Sequence, residues 1–250
     1  MGKAERDKSA REKIREQQAA DRAREKRKRV VTYATVGIVA VAAVAAGWAW
    51  SASKSTSEEA GGSLAPVTVA ADAGVTMANA GVEKPVVDIF EDFQCPACQQ
   101  LEEVSGTTFK NLAAEGRAKV VYHPITIFQE EPTHSNSIRA GAAARCVADG
   151  KQWIAFHDKL FKNQPSETVE GFKIDQLVSW GKEVGITDPA FEQCVTSQKH
   201  AATQQAYSDK TNKEQNLQGT PTVKLNGVEM DNSVIFSPSE LRDAVLAAAK

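Results

Sequence analysis

The sequence predicts an α/β domain that carries an inserted α-helical region and is preceded by one transmembrane helix. Three features of the chain indicate this arrangement. An uncharged apolar run occupies residues 30–50, strand and helix patterns alternate from residue 67 onwards, and helical patterns are concentrated between about residues 130 and 215. The composition agrees, since 25% charged and 42% hydrophobic residues describe a chain that is able to fold.

The apolar run is long enough to cross a bilayer. Residues 30–50 contain no charge, and ~20 residues at about 1.5 Å each span a hydrocarbon layer of ~30 Å. Four basic residues, 26–29, adjoin its N-terminal end, so the positive-inside rule places the N-terminus in the cytoplasm. We therefore predict a single-pass protein of the cell membrane with an extracytoplasmic C-terminal domain. Cleavage near Ala52 or Ser53 is the alternative, and it also leaves residues 51–250 outside the cytoplasm.

Charge is divided unevenly along the chain. The net charge is only −2, yet residues 1–29 hold twelve basic and six acidic residues, and the remainder carries −8. We interpret residues 1–29 as a charged cytoplasmic segment that is attracted to the lipid bilayer. Because this segment lacks dense positive charge and interleaved aromatic residues, no nucleic-acid partner is predicted.

The first part of the exported region predicts a tether followed by a β–α–β unit. Residues 51–66 are rich in Ser, Gly and Ala, which favours a flexible tether before a folded domain at 67–250. Gly116 directly follows the amphipathic pattern of residues 96–115 and is expected to end the helix predicted there. The predicted elements are a strand or hairpin arm at Val67–Met77, a buried strand at Lys84–Phe93, a helix at about Pro96–Glu115 and a strand at Ala118–Tyr122.

The second part predicts a helical block and a closing β-hairpin with a helix. Asn226-Gly227 is typical of a tight hairpin turn, and Ser237-Pro-Ser-Glu of a helix cap. The predicted helices are about Ser135–Val147, Trp153–Phe161, Ile174–Val184, Pro189–Thr196, Ala201–Glu214 and Ser237–Ala249, and the hairpin strands are Thr222–Leu225 and Val228–Met230.

A Cys-x-x-Cys pair, Cys95 and Cys98, lies where the buried strand runs into its helix. A thiol at a helix N-terminus is stabilised as the thiolate, so we expect Cys95 to have a pKa below the ~8.5 of a free thiol. Pro96 favours the first helical turn, and Cys98, one turn further, is expected to be the shielded resolving thiol. The alternative, half of a zinc site, needs two more suitably spaced ligands; the sequence offers none, so no metal is predicted.

The residues Phe90-Glu-Asp-Phe-Gln-Cys-Pro-Ala-Cys98, with Gly219-Thr-Pro-Thr222 about 120 residues later, resemble the DsbA family of extracytoplasmic thiol–disulfide oxidoreductases. The resemblance covers roughly residues 84–250 and implies a thioredoxin-like fold with an inserted α-helical domain. It also implies that Cys95 and Cys98 are catalytic, and that the active-site loop that meets the substrate comprises Pro96, Ala97, Thr220 and Pro221. In such folds this proline is cis; from the sequence alone it is only a strand-start residue.

Cys146 and Cys194 lie in the predicted helical block. If the close pair is catalytic, these two remain, and we interpret them as a structural disulfide, similar to a branch of the DsbA family with a second disulfide. A disulfide that closes the loop between Cys146 and Cys194 would stabilise the fold by roughly 4 kcal/mol in the chain-entropy model. Two buried free thiols are the alternative.

The resemblance implies an enzyme that introduces disulfide bonds into exported proteins, with a redox-active disulfide and no other cofactor. Its expected partners are unfolded exported proteins with free thiols and a membrane oxidase of the DsbB or vitamin K epoxide reductase type. Ala97 replaces the histidine common in strongly oxidising relatives, so a less oxidising potential is expected. A reductase or isomerase of the same fold and a non-enzymatic scaffold are the alternatives. No dimerisation domain is evident, which favours a monomer.

The sequence does not identify a proton acceptor for Cys98. Many thioredoxin-like proteins have a buried acid six residues before the first active cysteine, where this chain has Ile89. Asp88, Glu91 and Asp92 are nearby, but Glu91 and Asp92 are equally well interpreted as surface charges at a strand end. The histidines share no common spacing and are interpreted as structural or surface residues: His123, His134, His157 and His200.

Overall fold

The computed structural model describes residues 64–70 and 74–249. The predicted cytoplasmic segment at 1–29, the predicted transmembrane helix at 30–50 and most of the predicted tether lie outside the described residues. No helix within the described residues has the length and apolar character needed to cross a bilayer. At the end of the predicted tether, Ala65 is buried, so the domain begins slightly earlier than expected.

The described residues form one mixed sheet flanked by helices. Strand order across the sheet is β1-β2-β4-β3-β5-β6, and only β3 and β4 pair in parallel. The strands are β1 (Val67–Val69), β2 (Val75–Met77), β3 (Val86–Glu91), β4 (Lys119–Pro124), β5 (Thr222–Leu225) and β6 (Val228–Glu229). The helices are α1 (Pro96–Ala114), α2 (Thr133–Ala144), α3 (Gly150–Lys162), α4 (Ile174–Glu183), α5 (Pro189–Thr196), α6 (Ala201–Gln215), α7 (Asn232–Ile235) and α8 (Pro238–Ala248).

This is a thioredoxin-like α/β fold with a helical insertion. Strand β3 lies between β4 and β5, with α1 connecting β3 to β4, and helices α2 to α6 are inserted between β4 and β5. Val87 and Ile89 on β3 are fully buried, as expected for a strand covered on both faces. The chain leaves β3 at its carboxyl end and turns directly into α1.

The hydrophobic core runs without a break from the sheet into the insertion. The ring of Tyr122 on β4 lies 6.0 Å from that of Trp153 on α3. Phe93, just after β3, lies 5.1 Å from Phe161 at the end of α3. The insertion is therefore packed against the sheet by the same residues that fill the core.

Local differences from the predicted elements concern caps and turns. The region predicted as one arm at Val67–Met77 forms two short antiparallel strands. The predicted cap at Ser237 makes no side-chain hydrogen bond, and Pro238 in the first turn starts α8 instead. The short helix α7 was not predicted; Asp231 caps it by accepting a hydrogen bond from the Ser233 N–H at 2.7 Å.

Candidate active site

The active-site cysteine pair lies at the start of α1. Cys95 is the N-cap residue, with an extended backbone, and Pro96 occupies the first turn. The carbonyl of Cys95 accepts hydrogen bonds from the N–H groups of Cys98 at 3.0 Å and Gln99 at 3.1 Å, which begins the helix. Cys95 is 6% exposed and Cys98 is fully buried, both as free thiols, whereas Pro96 and Ala97 are exposed. Access to the sulfurs is thus from the side of the Pro-Ala dipeptide.

The two thiols differ strongly in acidity. A hydrogen bond from the Cys98 thiol is the main cause that lowers the pKa of Cys95 to about 6, assisted by Thr220 and by the N–H groups of Cys98 and Ala97, against the opposing effect of burial. Burial, together with the neighbouring Cys95, raises the pKa of Cys98 well above its usual value. At neutral pH Cys95 is therefore a thiolate and Cys98 a protonated thiol.

The loop before β5 completes the surroundings of Cys95. The Thr220–Pro221 peptide bond is cis, and the Cys95 Sγ lies 3.4 Å from the carbonyl oxygen of Thr220. The Thr222 hydroxyl donates to the carbonyl of Gly219 at 2.9 Å, which fixes the loop as it enters the sheet. The predicted loop residues Pro96, Ala97, Thr220 and Pro221 thus lie together with the two thiols.

Asp92 is a fully buried carboxylate between β3 and the cysteine pair. It accepts hydrogen bonds from the N–H of Gln94 at 2.9 Å, the N–H of Ile127 at 2.9 Å and the hydroxyl of Ser137 at 2.7 Å. Burial raises its pKa to about 6, despite these donors. The interpretation of Asp92 as a surface charge is wrong, because its carboxylate ties the end of β3 to α2 of the insertion.

Glu91 is also fully buried, so its interpretation as a surface charge is wrong as well. The His157 Nε2 donates to its Oε1 at 2.7 Å, and the His157 Nδ1 lies 3.1 Å from Asp158 Oδ1. Burial opposes the charge on His157, but the carboxylates of Glu91 and Asp158 prevail and raise its pKa to about 10. Burial raises the pKa of Glu102, on α1, to about 7. Glu91, Glu102 and His157 lie together where β3, α1 and α3 meet, and we call these three residues the buried cluster.

Three glutamine amides hold the active-site segment against the insertion. Gln164 Nε2 donates to the carbonyls of Phe93 at 2.8 Å and Cys95 at 3.0 Å. Gln94 Nε2 donates to the carbonyl of Pro165 at 2.9 Å, and Gln99 Nε2 to that of Phe161 at 2.7 Å. We call Gln94, Gln99 and Gln164 the amide clamp; it joins residues 93–99 to the end of α3 and the loop after it.

The amide clamp and the buried cluster were not predicted from the sequence. Both depend on pairs separated by more than sixty residues, such as Glu91 with His157 and Gln94 with Pro165, which no local pattern connects. One signal was available: Glu102 lies four residues after Cys98, on the side of α1 that faces the core.

Comparisons with known proteins agree with this geometry. A family model described as thioredoxin matches residues 79–245. The oxidised DsbA of Mycobacterium tuberculosis is 28% identical, with a TM-score of 0.59, and the match covers 74% of this chain and 92% of that one. The reduced disulfide bond oxidoreductase DsbG of the same organism is 29% identical, with a TM-score of 0.57, covering 69% of this chain and 88% of that one.

A Rickettsia bellii protein named as a protein-disulfide oxidoreductase is 25% identical over 161 residues. The match covers 64% of this chain and 61% of that protein, so the chain spans about three fifths of the length of such relatives. The chain belongs to the thioredoxin family, in its DsbA branch. The recognition of this family from the residues around Cys95 and Pro221 is therefore confirmed.

This DsbA-branch chain has a disulfide within its insertion. Cys146, just after α2, is bonded to Cys194 on α5, with their Cα atoms 5.8 Å apart. A ring nitrogen of His200 lies within 4.8 Å of both sulfurs, so the three residues could be considered as metal ligands. The sulfurs are joined to each other, however, so they are not available as metal ligands in this state.

The remaining histidines make structural contacts in the DsbA-like domain. His123 on β4 stacks on Phe90 with ring centroids 4.6 Å apart, and its Nε2 lies 2.9 Å from Asp88 Oδ1. His134 Nδ1 lies 2.8 Å from the carbonyl of Phe128. Burial and nearby basic residues lower the pKa of His200. None of these contacts of His123 and His134 involves Cys95 or Cys98.

Proposed function

We propose that this protein is a membrane-anchored, extracytoplasmic thiol–disulfide oxidoreductase that introduces disulfide bonds into exported proteins through Cys95 and Cys98. The observation that carries the proposal is the contrast between the two sulfurs. Cys95 has a pKa of about 6, whereas burial raises that of Cys98 well above the usual value. A low thiol pKa favours the reduced enzyme, and a dithiol that is stable when reduced makes its disulfide an oxidant.

The reaction uses the pair itself as its redox group. In the oxidised enzyme, a substrate thiolate attacks Cys95 Sγ, the Cys95–Cys98 bond breaks, and the leaving Cys98 sulfur takes up a proton. A second substrate thiolate then attacks the substrate sulfur of the mixed disulfide and expels Cys95 as a thiolate. The substrate gains one disulfide and loses two electrons, and the enzyme gains them as two reduced sulfurs.

The carbonyl of Thr220, beside the Cys95 sulfur, supports a role in substrate alignment. It lies 3.4 Å from Cys95 Sγ, next to the cis Pro221. An extended substrate segment bonded to Cys95 could pair with backbone groups of this loop, as strands pair at a sheet edge. Because the contacts would be to backbone, unfolded exported proteins of varied sequence are the proposed substrates.

The reduced enzyme needs an electron acceptor. A membrane oxidase of the DsbB or vitamin K epoxide reductase type would accept the two electrons by exchanging its own disulfide with Cys95. Anchoring by residues 30–50 would confine both proteins to the same lipid bilayer. A thiol reagent that cannot cross membranes should label reduced Cys95 in intact cells; labelling only after cell lysis would contradict an extracytoplasmic domain.

The decisive experiment is the redox equilibrium of Cys95 and Cys98 with glutathione, combined with oxidative refolding of a reduced substrate. We expect an equilibrium well on the oxidising side of the thioredoxin range near −270 mV, and refolding that is lost in Cys95→Ala. Cys98→Ala is the matched variant: it retains the nucleophile and should accumulate mixed disulfides.

Acid quenching of cells followed by alkylation of free thiols then gives the direction of exchange in the cell. A mostly oxidised pair supports the proposal. A mostly reduced pair, or an equilibrium near that of thioredoxin, would indicate a reductase or isomerase, which the absence of an imidazole at Ala97 would favour. Refolding activity that is unaffected by Cys95→Ala would contradict an enzyme of either kind.

A further inference from the structure

The buried cluster of Glu91, Glu102 and His157 brings together metal-binding side chains from three elements. One ligand atom from each residue lies within 4.8 Å of the other two. Glu91 ends β3, Glu102 lies on α1 and His157 on α3, and both Glu91 and His157 are fully buried. Their spacing in the sequence follows no metal-binding motif, and only the fold makes them neighbours.

Two carboxylate oxygens in this cluster have no hydrogen-bond partner. These are Oε2 of Glu91 and Oε1 of Glu102, and both atoms are buried. A buried carboxylate oxygen without a partner is costly, so native structures usually supply a donor or a cation. One cation between the two glutamates would satisfy both oxygens at once.

The outer contacts of His157 match those of a metal-binding histidine. Its Nδ1 lies 3.1 Å from Asp158 Oδ1, and Lys110 Nζ holds Asp158 Oδ2 at 2.6 Å. Histidine ligands commonly donate their second ring N–H to a carboxylate in this way, which orients the other nitrogen towards the metal. That other nitrogen, Nε2, is the one that faces Glu91.

The cluster also has an entry path. A cleft of about 220 Å³ on the surface between α1 and α3 is lined by Glu102, Lys110 and Asp158, among others. An ion entering there would reach Glu102 first, then Glu91 and His157 behind it.

We propose that Glu91, Glu102 and His157 bind a divalent metal ion, with Zn²⁺ as the best fit. One imidazole and two carboxylates are usual zinc ligands, at about 2.0–2.2 Å, with a fourth position for water. Calcium takes six to eight oxygens and magnesium requires a near-octahedral oxygen shell, which suits this set less well. To bind the ion, His157 gives up the proton that its Nε2 donates to Glu91, and that proton is released to solvent. The bound ion joins β3, α1 and α3.

The test uses the full-length oxidised protein in detergent, in which the Cys95–Cys98 disulfide cannot ligate metal. Zinc binding is measured by isothermal titration calorimetry, and the ligand type by the visible spectrum of bound Co²⁺. We expect one saturable site, a melting temperature that rises with zinc concentration, and a Co²⁺ spectrum without thiolate charge-transfer bands. Glu102→Gln, which is nearly isosteric, should weaken zinc binding by about 10-fold or more.

The matched control is Glu214→Gln, which removes an exposed carboxylate on α6, outside the cleft that leads to the cluster. It should bind zinc as the unmodified protein does. The proposal is overturned if the oxidised protein shows no saturable zinc binding, if Glu102→Gln binds as tightly as the control, or if the Co²⁺ spectrum shows thiolate ligands. These outcomes leave the glutathione equilibrium untouched, so the redox proposal stands or fails separately.

Discussion

The acidity of Cys95 arises from a few well-placed neighbours. The Cys98 thiol contributes most, and Thr220 and the first N–H groups of α1 add to it, so that the sulfur remains ionised although it is largely buried. A sulfur bonded to another sulfur carries no negative charge, so these neighbours stabilise the reduced form and not the disulfide. The acidity therefore measures how strongly the fold favours the reduced pair over the disulfide.

The titration of Cys95 should make the relative stability of the reduced protein depend on pH. Its folded pKa, about 6, lies below the ~8.5 of a free thiol, so ionisation stabilises the reduced fold. This contribution is complete above about pH 9, declines as the pH falls towards 6, and is absent below it. The raised pKa of Cys98 affects stability only above about pH 8.5, where the thiol of the unfolded chain ionises, so it leaves lower pH values unaffected.

The measurement is the melting temperature of the reduced protein minus that of the oxidised protein, from about pH 5 to about pH 8. The difference should increase with pH, and iodoacetamide should react with Cys95 with a midpoint near pH 6. A difference that is constant over this range would contradict the proposed acidity. Cys95→Ala lacks the thiolate and cannot form the disulfide, so its melting temperature should change with pH as that of the oxidised protein does.

Asp92 offers a second test at the level of single side chains. Its oxygens accept hydrogen bonds from the N–H groups of Gln94 and Ile127 and from the Ser137 hydroxyl, so all its partners are donors. Asp92→Asn turns one acceptor into an NH₂ group that faces a backbone N–H, which should cost about 1–3 kcal/mol in unfolding free energy. Urea denaturation gives this value. Ser137→Ala, which removes only one donor, should cost less; the reverse order would contradict this account.

The amide clamp holds the segment between two secondary-structure elements, β3 and α1, and its loss should weaken that connection. Gln164 donates to the carbonyls of Phe93 and Cys95 and thereby fixes the turn between β3 and α1. Gln164→Ala should lower the unfolding free energy by about 1–3 kcal/mol, at 0.5–1.5 kcal/mol for each hydrogen bond. It should also slow substrate oxidation, since the start of α1 is held less firmly.

The control for this change is Gln193→Ala on α5, where the side chain is exposed. Stability by urea denaturation and the rate of oxidative refolding should both be close to those of the unmodified protein. If the two glutamine variants behaved alike, the clamp would have no part in holding the active-site segment.

The elements were largely predictable because their signals are local. The bounds of α5 and β5 agree with the predicted ones, and Asn226 and Gly227 have the positive φ angles, 52° and 82°, that the turn requires. The site was predictable only in part. The spacing of Cys95 and Cys98 is enough to identify them as a redox pair. The burial of Glu91 and Asp92 depends on the packing of α2 and α3 against β3, and no local sequence pattern predicts that packing.

At the scale of the whole molecule, the core shared by the sheet and the insertion should make residues 64–249 unfold as one unit. Hydrogen exchange should then give similar opening free energies for the most protected amides of β4 and of α3. Mass spectrometry of peptides from the exchanged protein measures both. Opening of α3 at a much lower free energy than β4 would show instead that the insertion is a separate cooperative unit.

The carbonyl of Cys95 receives a hydrogen bond from a side chain that the chain reaches only sixty-nine residues later. A Cys-Pro-Ala-Cys tetrapeptide placed in a smaller relative without the inserted helices would therefore lack this hydrogen bond and the hold that it gives on the start of α1. Gln164 therefore offers a way to alter how the turn before α1 is held without changing the tetrapeptide itself.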